Sequence, residues 1–516
     1  MSKRSGHHTG DFYGSVADRR LLYRRQFLLS KAPVVKLFHW KCIKLDQYYL
    51  YAHPDLDVTV KEDKAMLVVL IGYIFCPSDP AKKNQDIVSD IVSKADSLDA
   101  VIALMKPMAG RYAMIYRDKG DFVIFNDPLG LREIYYCTKA NRIICGSQPN
   151  LINEFAKPRL GITDNRDILE FYEKDLKLVR SGRAWVGDET YFKNIKHLLP
   201  NHYLDIHSLK ARRYWPNKRL EKIKFQTAVN LCCNHLRGVL KAVTTRYNVM
   251  MAVTAGHDSR SLLAASKEVH KRIYYFINKE PHLNDASPDI RVPQSMFARL
   301  NIPFHIHNVD GAVDQRFKEI FLNNTFMSTE LILPTIYNVY YKYHGDKVNL
   351  LGVGEIGRDF YGRAPCNLDG YYLARCLKYK SSKYATEQCE KWLTSVREIA
   401  EKYNVDIMKL LLWEMLLGNW GCVGNSESDI AIEEFDPYDS HFIYEVMLSV
   451  DPTEGDLFRG MIMEMWPELL DFPINPSEKM GERLKELLQR IGILQHMRRL
   501  LYSFDRLRFC GWKLYR

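Results

Sequence analysis

The chain has 516 residues, 47% hydrophobic and 12% aromatic, enough for two or three domains with real cores and unlike a disordered chain. Its 73 Lys and Arg against 62 Asp and Glu leave a net charge of +11, which suits nucleotides, nucleic acid or acidic membrane surfaces without choosing among them. The eleven cysteines contain no CxxC pair, which argues against both a zinc site and a disulfide framework.

Residues 1–33 read as a polar leader. It has no apolar core of a secretory signal, so a cytoplasmic location is expected. From 34 to 218 short strand-like runs follow one another: VVKLFHW (34–40), YYLYAHP (48–54), MLVVLIGYIF (66–75), RYAMIYR (111–117), DFVIFND (121–127), EIYYCT (133–138) and RIICGS (142–147). The longest apolar run, AMLVVLIGYIFC (65–76), falls short of the roughly 20 residues of a membrane span and reads as a buried strand. DIVSDIVSKADSLDAVIALM (86–105) reads as helix, and the whole predicts a layered, sheet-rich domain.

From 219 to 480 the pattern alternates between helix and strand: FQTAVNLCCNHLRGVLKAVTT (225–245), NVMMAVT (248–254), SRSLLAASKEVH (259–270), RIYYFIN (272–278), RVPQSMFARLNI (291–302), FHIHNV (304–309) and VNLLGVG (348–354). That alternation predicts a parallel sheet covered on both faces, with ligands at the carboxyl ends of its strands. Residues 481–516 form a basic, amphipathic C-terminal helix or tail. Packing on the body is the plainer reading of this segment, and peripheral contact with an anionic membrane is the other.

TAGHDSR (254–260) leads from a strand into a helix. Backbone N–H groups and a helix N-terminus there can hold phosphate. Ala255 and Gly256 leave room for the anion, Thr254 and Ser259 offer hydroxyls, and Arg260 adds positive charge. Asp258 suits phosphate only through a metal, so Mg²⁺ is implied. Ser and Asp are also ordinary helix caps, so the turn alone leaves both readings open. It lacks the GxxxxGK[ST] spacing of the Walker-type loop.

VTAGHDSR (253–260) resembles the pyrophosphate-binding loop, SGGxDS, of the asparagine synthetase-like ATP pyrophosphatases. Three further stretches resemble that family in order: GRYAMIYRDKGDFVIFNDPLGLREIYY (110–136) its glutaminase-like domain, and GVGEIGRDFYGR (352–363) and EFDPYDSHFIYEVMLSVDP (434–452) its synthetase domain. The resemblance implies an α+β N-terminal nucleophile-type (Ntn) sandwich followed by an α/β parallel-sheet synthetase domain with a pyrophosphate (PP) loop. It implies ATP and Mg²⁺ as cofactors, with Val253, Thr254, Ala255, Gly256, Asp258, Ser259, Arg260, Val353 and Gly354 around ATP and adenine between the RIYYFIN strand end and Val353. The implied reaction adenylates a carboxylate, releases pyrophosphate and lets an amine attack the acyl-adenylate.

The chain departs from the pattern in three places. Position 2 is Ser2, not the family's cysteine, and sits in a polar leader, so no glutaminase activity is expected and the first domain is expected to be inactive. Arg358 falls where the family has a metal-binding Asp, leaving Asp359 next along as the second metal ligand beside Asp258, or as a helix cap. Glu355 is expected to orient the incoming amine or take its proton. Lys479 lies near the place of a family lysine that faces the acyl-phosphate, but without its motif. His257 is given no chemistry, and His305 and His307 read as satisfied strand-end histidines. Arg459 reads as a phosphate contact or a solvated helix residue.

The expected function is an AMP-forming amide ligase that joins a small-molecule, sugar-acid or peptide carboxylate to ammonia or an amine, without glutamine hydrolysis. A non-catalytic nucleotide-binding protein of the same fold is the alternative, as is a PP-loop enzyme modifying RNA or a nucleobase. The sequence shows no RRM, KH or zinc-finger pattern, so nucleic acid is not an expected partner.

Overall fold

The computed structural model describes residues 16–63, 66–139, 142–176, 185–451 and 453–476. Ser2, Lys479 and the basic segment 481–516 lie outside the described residues.

The first half contains two six-stranded antiparallel sheets. β1 (Phe27–Ser30), β2 (Lys41–Leu45), β3 (Tyr48–Ala52), β8 (Tyr135–Cys137), β9 (Ile143–Gly146) and β10 (Ile195–His197) form one, in the order β10-β8-β9-β1-β3-β2. β4 (Val58–Asp63), β5 (Met66–Phe75), β6 (Ala109–Arg117), β7 (Phe122–Asn126), β11 (His202–Asp205) and β12 (Lys210–Arg213) form the other, ordered β12-β11-β7-β6-β5-β4. Leu29 and Leu50 of the first sheet meet Val69, Ile71, Ile115 and Ile124 of the second in one core. Val68, Leu70 and Met114, on the other face of the second sheet, pack against Ile87, Val88 and Ile91 of α1 (Asn84–Lys94) and Val101 of α2 (Leu98–Met105). With both faces covered, all ten residues of β5 are buried, which is why its sequence is a continuous apolar run and not an alternation.

Two expectations fail here. The sheet begins seven residues before residue 34: β1 lies inside the expected leader and is the inner strand between β9 and β3. Its four residues are too few to show a period, and all are buried. VVKLFHW forms no strand; residues 35–37 make a 3₁₀ turn with Val35 and Phe38 exposed.

The second half carries β13 (Val249–Ala252), β14 (Ile273–Lys279), β15 (His305–Asn308), β16 (Val348–Leu350) and β17 (Glu433–Phe435), all parallel, in the order β15-β14-β13-β16-β17. α3 (Phe225–Arg246), α4 (His257–Ala265), α5 (Pro288–Leu300), α6 (Cys422–Ser428) and α7 (Leu457–Met465) belong to this half. The chain runs from β13 outward to β14 and β15, then returns to β16 on the other side of β13. The connections therefore diverge between β13 and β16 and leave a crevice at their carboxyl ends.

The halves are tied by a buried ion network. Arg111 of β6 grips Asp429 through two nitrogens (2.6 and 2.8 Å), while Arg132 (2.5 Å) and Arg25 (3.0 Å) reach Glu433 of β17. Against the upward push of burial, Arg132, Arg111 and Arg25 hold the Glu433 carboxyl below its ordinary range. Among the described residues no helix is long and apolar enough to cross a membrane.

Candidate functional site

β13 delivers the chain to the crevice. Val253 still bonds to the Phe276 carbonyl of β14 (2.9 Å), and the turn then enters α4 with Gly256 at its N-cap. The Thr254 and Ser259 hydroxyls lie 2.9 Å apart; Ser259 Oγ also accepts from the Thr254 N–H (3.2 Å), and Thr254 Oγ1 accepts from the Gly256 N–H (3.1 Å). Asp289 of α5 accepts the Ala255 N–H (2.9 Å), and the Asn475 N–H donates to the Ala255 carbonyl (2.9 Å). The turn is thus folded on its own hydroxyls and buttressed from both sides. A bound anion would take over donors that these oxygens now share.

Arg260 does not serve the turn as the sequence suggested. It is fully buried and donates to the carbonyls of Leu469 (3.2 Å), Phe472 (2.9 Å) and Pro473 (3.1 Å). Those carbonyls sit in and just past a 3₁₀ turn at Pro467–Asp471, where backbone acceptors lack helical partners. Burial lowers its guanidinium to about 10. Its charge anchors the segment that supports Ala255.

The second wall is the chain leaving β16. A Cβ on Gly354 would stand 2.7 Å from the Phe458 ring of α7 and 3.0 Å from Asp258 Oδ1, so only glycine lets this wall approach α4 so closely. Val353 (3.4 Å) and Tyr438 (3.1 Å) donate their N–H groups to Asp436 Oδ1, which follows β17.

Three carboxyls therefore face one another across the crevice, and each retains a buried oxygen without a hydrogen-bond partner: Asp258 Oδ1, Glu355 Oε2 and Asp436 Oδ2. Burial raises all three, Asp258 to about 7 and Asp436 well above the ordinary carboxylate range; Glu355 adds repulsion to both of the others. Among the described residues one cation answers them directly: Arg358 Nη2 lies 2.6 Å from Asp258 Oδ2.

Asp359 does not join this group. Arg358 has extended backbone, so successive side chains point to opposite sides. With Arg358 turned to Asp258, Asp359 is exposed on the side of Lys409, whose ammonium it favours. The partly exposed His257 lies 3.6 Å from Asp456, and Arg459 is exposed. His307 has partners for both ring nitrogens, Tyr274 OH (3.0 Å) and Asn278 Oδ1 (3.2 Å), and the His305 ring stacks on Tyr274.

The orphaned carboxylate oxygens fit a magnesium ion that keeps waters and phosphate among its ligands, with Asp258 as the acid next to the turn. They do not form an all-protein cage. Among the described residues, the three-ligand group that gathers within 4.8 Å lies elsewhere. Sequence reading missed Asp436, Asp289, Tyr438 and Asn475. Asp436 and Tyr438 lay in the EFDPYDS stretch already singled out, and an Asp-Pro turn directly after a strand was the signal.

No protein-family model matches the sequence, and comparison with curated proteins finds no match. Among solved structures, the chain is similar to glutamine phosphoribosylpyrophosphate amidotransferase from B. subtilis, complexed with ADP and GMP, at 8% identity and a TM-score of 0.20, covering 53% of this chain and 56% of that one. It thus spans little more than half of that protein. A structure titled as the allosteric regulatory enzyme of purine biosynthesis matches at 9% identity and a TM-score of 0.24, covering 78% and 92%. At such scores the fold description rests on strand order and pairing alone.

Proposed function

We propose that the protein is an ATP-dependent, AMP-forming amide ligase that activates a carboxylate and couples it to ammonia or an amine. One observation carries this reading: the TAGHDS turn sits at the carboxyl end of the central parallel strand, and its own Asp258 faces Glu355 and Asp436, each of the three keeping an unused oxygen. Val253 to Ser259 on one wall and Val353 and Gly354 on the other would hold the nucleotide. Asp258 would hold Mg²⁺, which supplies charge neutralisation for a departing pyrophosphate.

This chain's own groups have definable tasks. The Thr254 and Ser259 hydroxyls and the first turn of α4 present donors to phosphate oxygens. Glu355, whose carboxyl burial raises and whose Oε2 has no partner, is the candidate to accept a proton from an attacking amine. The walls meeting at Gly354 narrow the space open to water. The head of β1, where a nucleophile of the glutaminase type would stand, is Phe27 within a continuous chain whose preceding Gln26 bonds to the Asn324 carbonyl (2.7 Å). That arrangement supports a reaction without glutamine hydrolysis.

The Arg358–Asp258 pair favours a second reading, a nucleotide-binding protein in which the guanidinium replaces the metal and ATP is held uncleaved. Carboxylate-dependent exchange of labelled pyrophosphate into ATP separates the two, run across amino acids, sugar acids and peptides. Exchange abolished by Asp258→Asn supports the ligase; ATP binding without exchange under any acid or amine supports the holder.

A further inference from the structure

At the seam between the halves, Glu133, His197 and Cys422 bring a carboxylate oxygen, an imidazole nitrogen and a thiol within 4.8 Å of one another, all three residues buried. They come from distant places: Glu133 precedes β8, His197 ends β10 directly opposite Tyr135 of β8, and Cys422 opens α6. The cysteine pattern had argued against any such group, because spacing along the chain does not register ligands supplied by separate elements.

The imidazole and the carboxylate are held from behind, and the Cys422 thiol donates to the Gly418 carbonyl (3.0 Å). The His197 ring stacks on Tyr135 (4.6 Å between centroids), and its Nδ1 lies 3.1 Å from Asn419 Oδ1, the bond that fixes the tautomer. His197 is 3% exposed, and its other nitrogen, Nε2, is buried with no hydrogen-bond partner. With Nδ1 donating to the Asn419 oxygen, Nε2 is the nitrogen that carries the lone pair. Glu133 accepts from Tyr135 OH (2.7 Å), from Gln148 and from the Ser426 hydroxyl. An imidazole with one nitrogen oriented by an amide oxygen and the other unsatisfied is the arrangement of a metal-ligating histidine.

We propose that Glu133, His197 and Cys422 form a binding site for a divalent cation of the zinc class, clasping the sandwich to the second half. The sulfur and nitrogen donors select zinc, cobalt or similar ions over magnesium and calcium. Charge balances as well: a carboxylate and a thiolate together neutralise a dication, so the occupied site carries no net charge into the interior. Without metal the thiol hydrogen is spent on the Gly418 carbonyl. Binding forms an S–metal bond, breaks the S–H bond and releases one proton to solvent. Three protein donors leave one tetrahedral position for water. The inference is independent of the amide-ligase reading.

The test uses the full chain, equilibrated with zinc in metal-free buffer, desalted, and assayed for metal beside Cys422→Ser, His197→Gln and Asn419→Ala. The parent should hold one zinc per chain more than Cys422→Ser or His197→Gln, and Asn419→Ala should bind about 10- to 100-fold more weakly. Cobalt in place of zinc should give a near-ultraviolet thiolate-to-metal absorption that Cys422→Ser lacks. Parent and variants with equal zinc, or a cobalt form whose thiolate absorption survives Cys422→Ser, would overturn the proposal. If Cys422→Ser does not fold, His197→Gln decides by the same zinc difference.

Discussion

Two buried charged clusters lie near either end of β17. Before and within the strand, Asp429 and Glu433 are matched by Arg111, Arg132 and Arg25, with bonds of 2.5 to 3.0 Å. After it, Asp436 faces Asp258 and Glu355 with a single half-exposed guanidinium to answer them. The first cluster is complete and holds two halves together. Among the described residues the second has two more carboxyls than cations and carries unused oxygens, which is what a site awaiting a cation or phosphate-bound metal requires. Burial alone therefore does not mark function; buried carboxyls left without cations do.

The contrast is most strongly broken at Arg111. Arg111→Ala leaves Asp429 buried with its main partner gone and should cost about 3–5 kcal/mol of stability, read by denaturant unfolding. Arg111→Met with Asp429→Leu should recover most of that loss.

Asp258 should behave in the opposite sense. Its carboxyl titrates at about 7 when folded and at about 4 when unfolded. The folded state thus binds more protons between those values, and stability falls as pH rises from about 4 to about 7, by up to about 4 kcal/mol. Asp258→Asn should flatten that slope and be the more stable protein at pH 8 while losing pyrophosphate exchange. A slope unchanged by the substitution would remove the orphaned-acid account.

Gly354→Ala presses a methyl against the Phe458 ring and Asp258 and should cost about 1–3 kcal/mol, with nucleotide affinity falling alongside stability. Smaller still, Arg358→Ala removes the attraction that lowers Asp258. Its titration should move upward by about one pH unit, about 1.4 kcal/mol, followed by carboxyl-selective NMR.

Much of the architecture was legible. Strands buried on both faces announced themselves as apolar runs, as at residues 66–75, and the switch to alternating helix and strand marked the parallel sheet. β1 was not legible, because four residues show no period. In the site, the turn at 254–259 was visible from its residue types. The direction of a charged side chain was not: Arg260 turns into the body and Arg358 into the site, a choice made by carbonyls some 210 residues away and by an extended backbone at one position. Cys422 joined His197 and Glu133 for the same reason, through contacts that no local window contains.

The rivet formed by Arg260 bears on the order of assembly. The turn after β13 has Asp289 as its buttress on one side and gains the other from residues 469–475, beyond every strand of the sheet it stands on. During synthesis the sheet can pair and bury its core while that support is still to be made. The protein would then pass through a stage in which the sheet is paired and the binding loop braced on one side only, so full competence for ligand follows the pairing of the sheet.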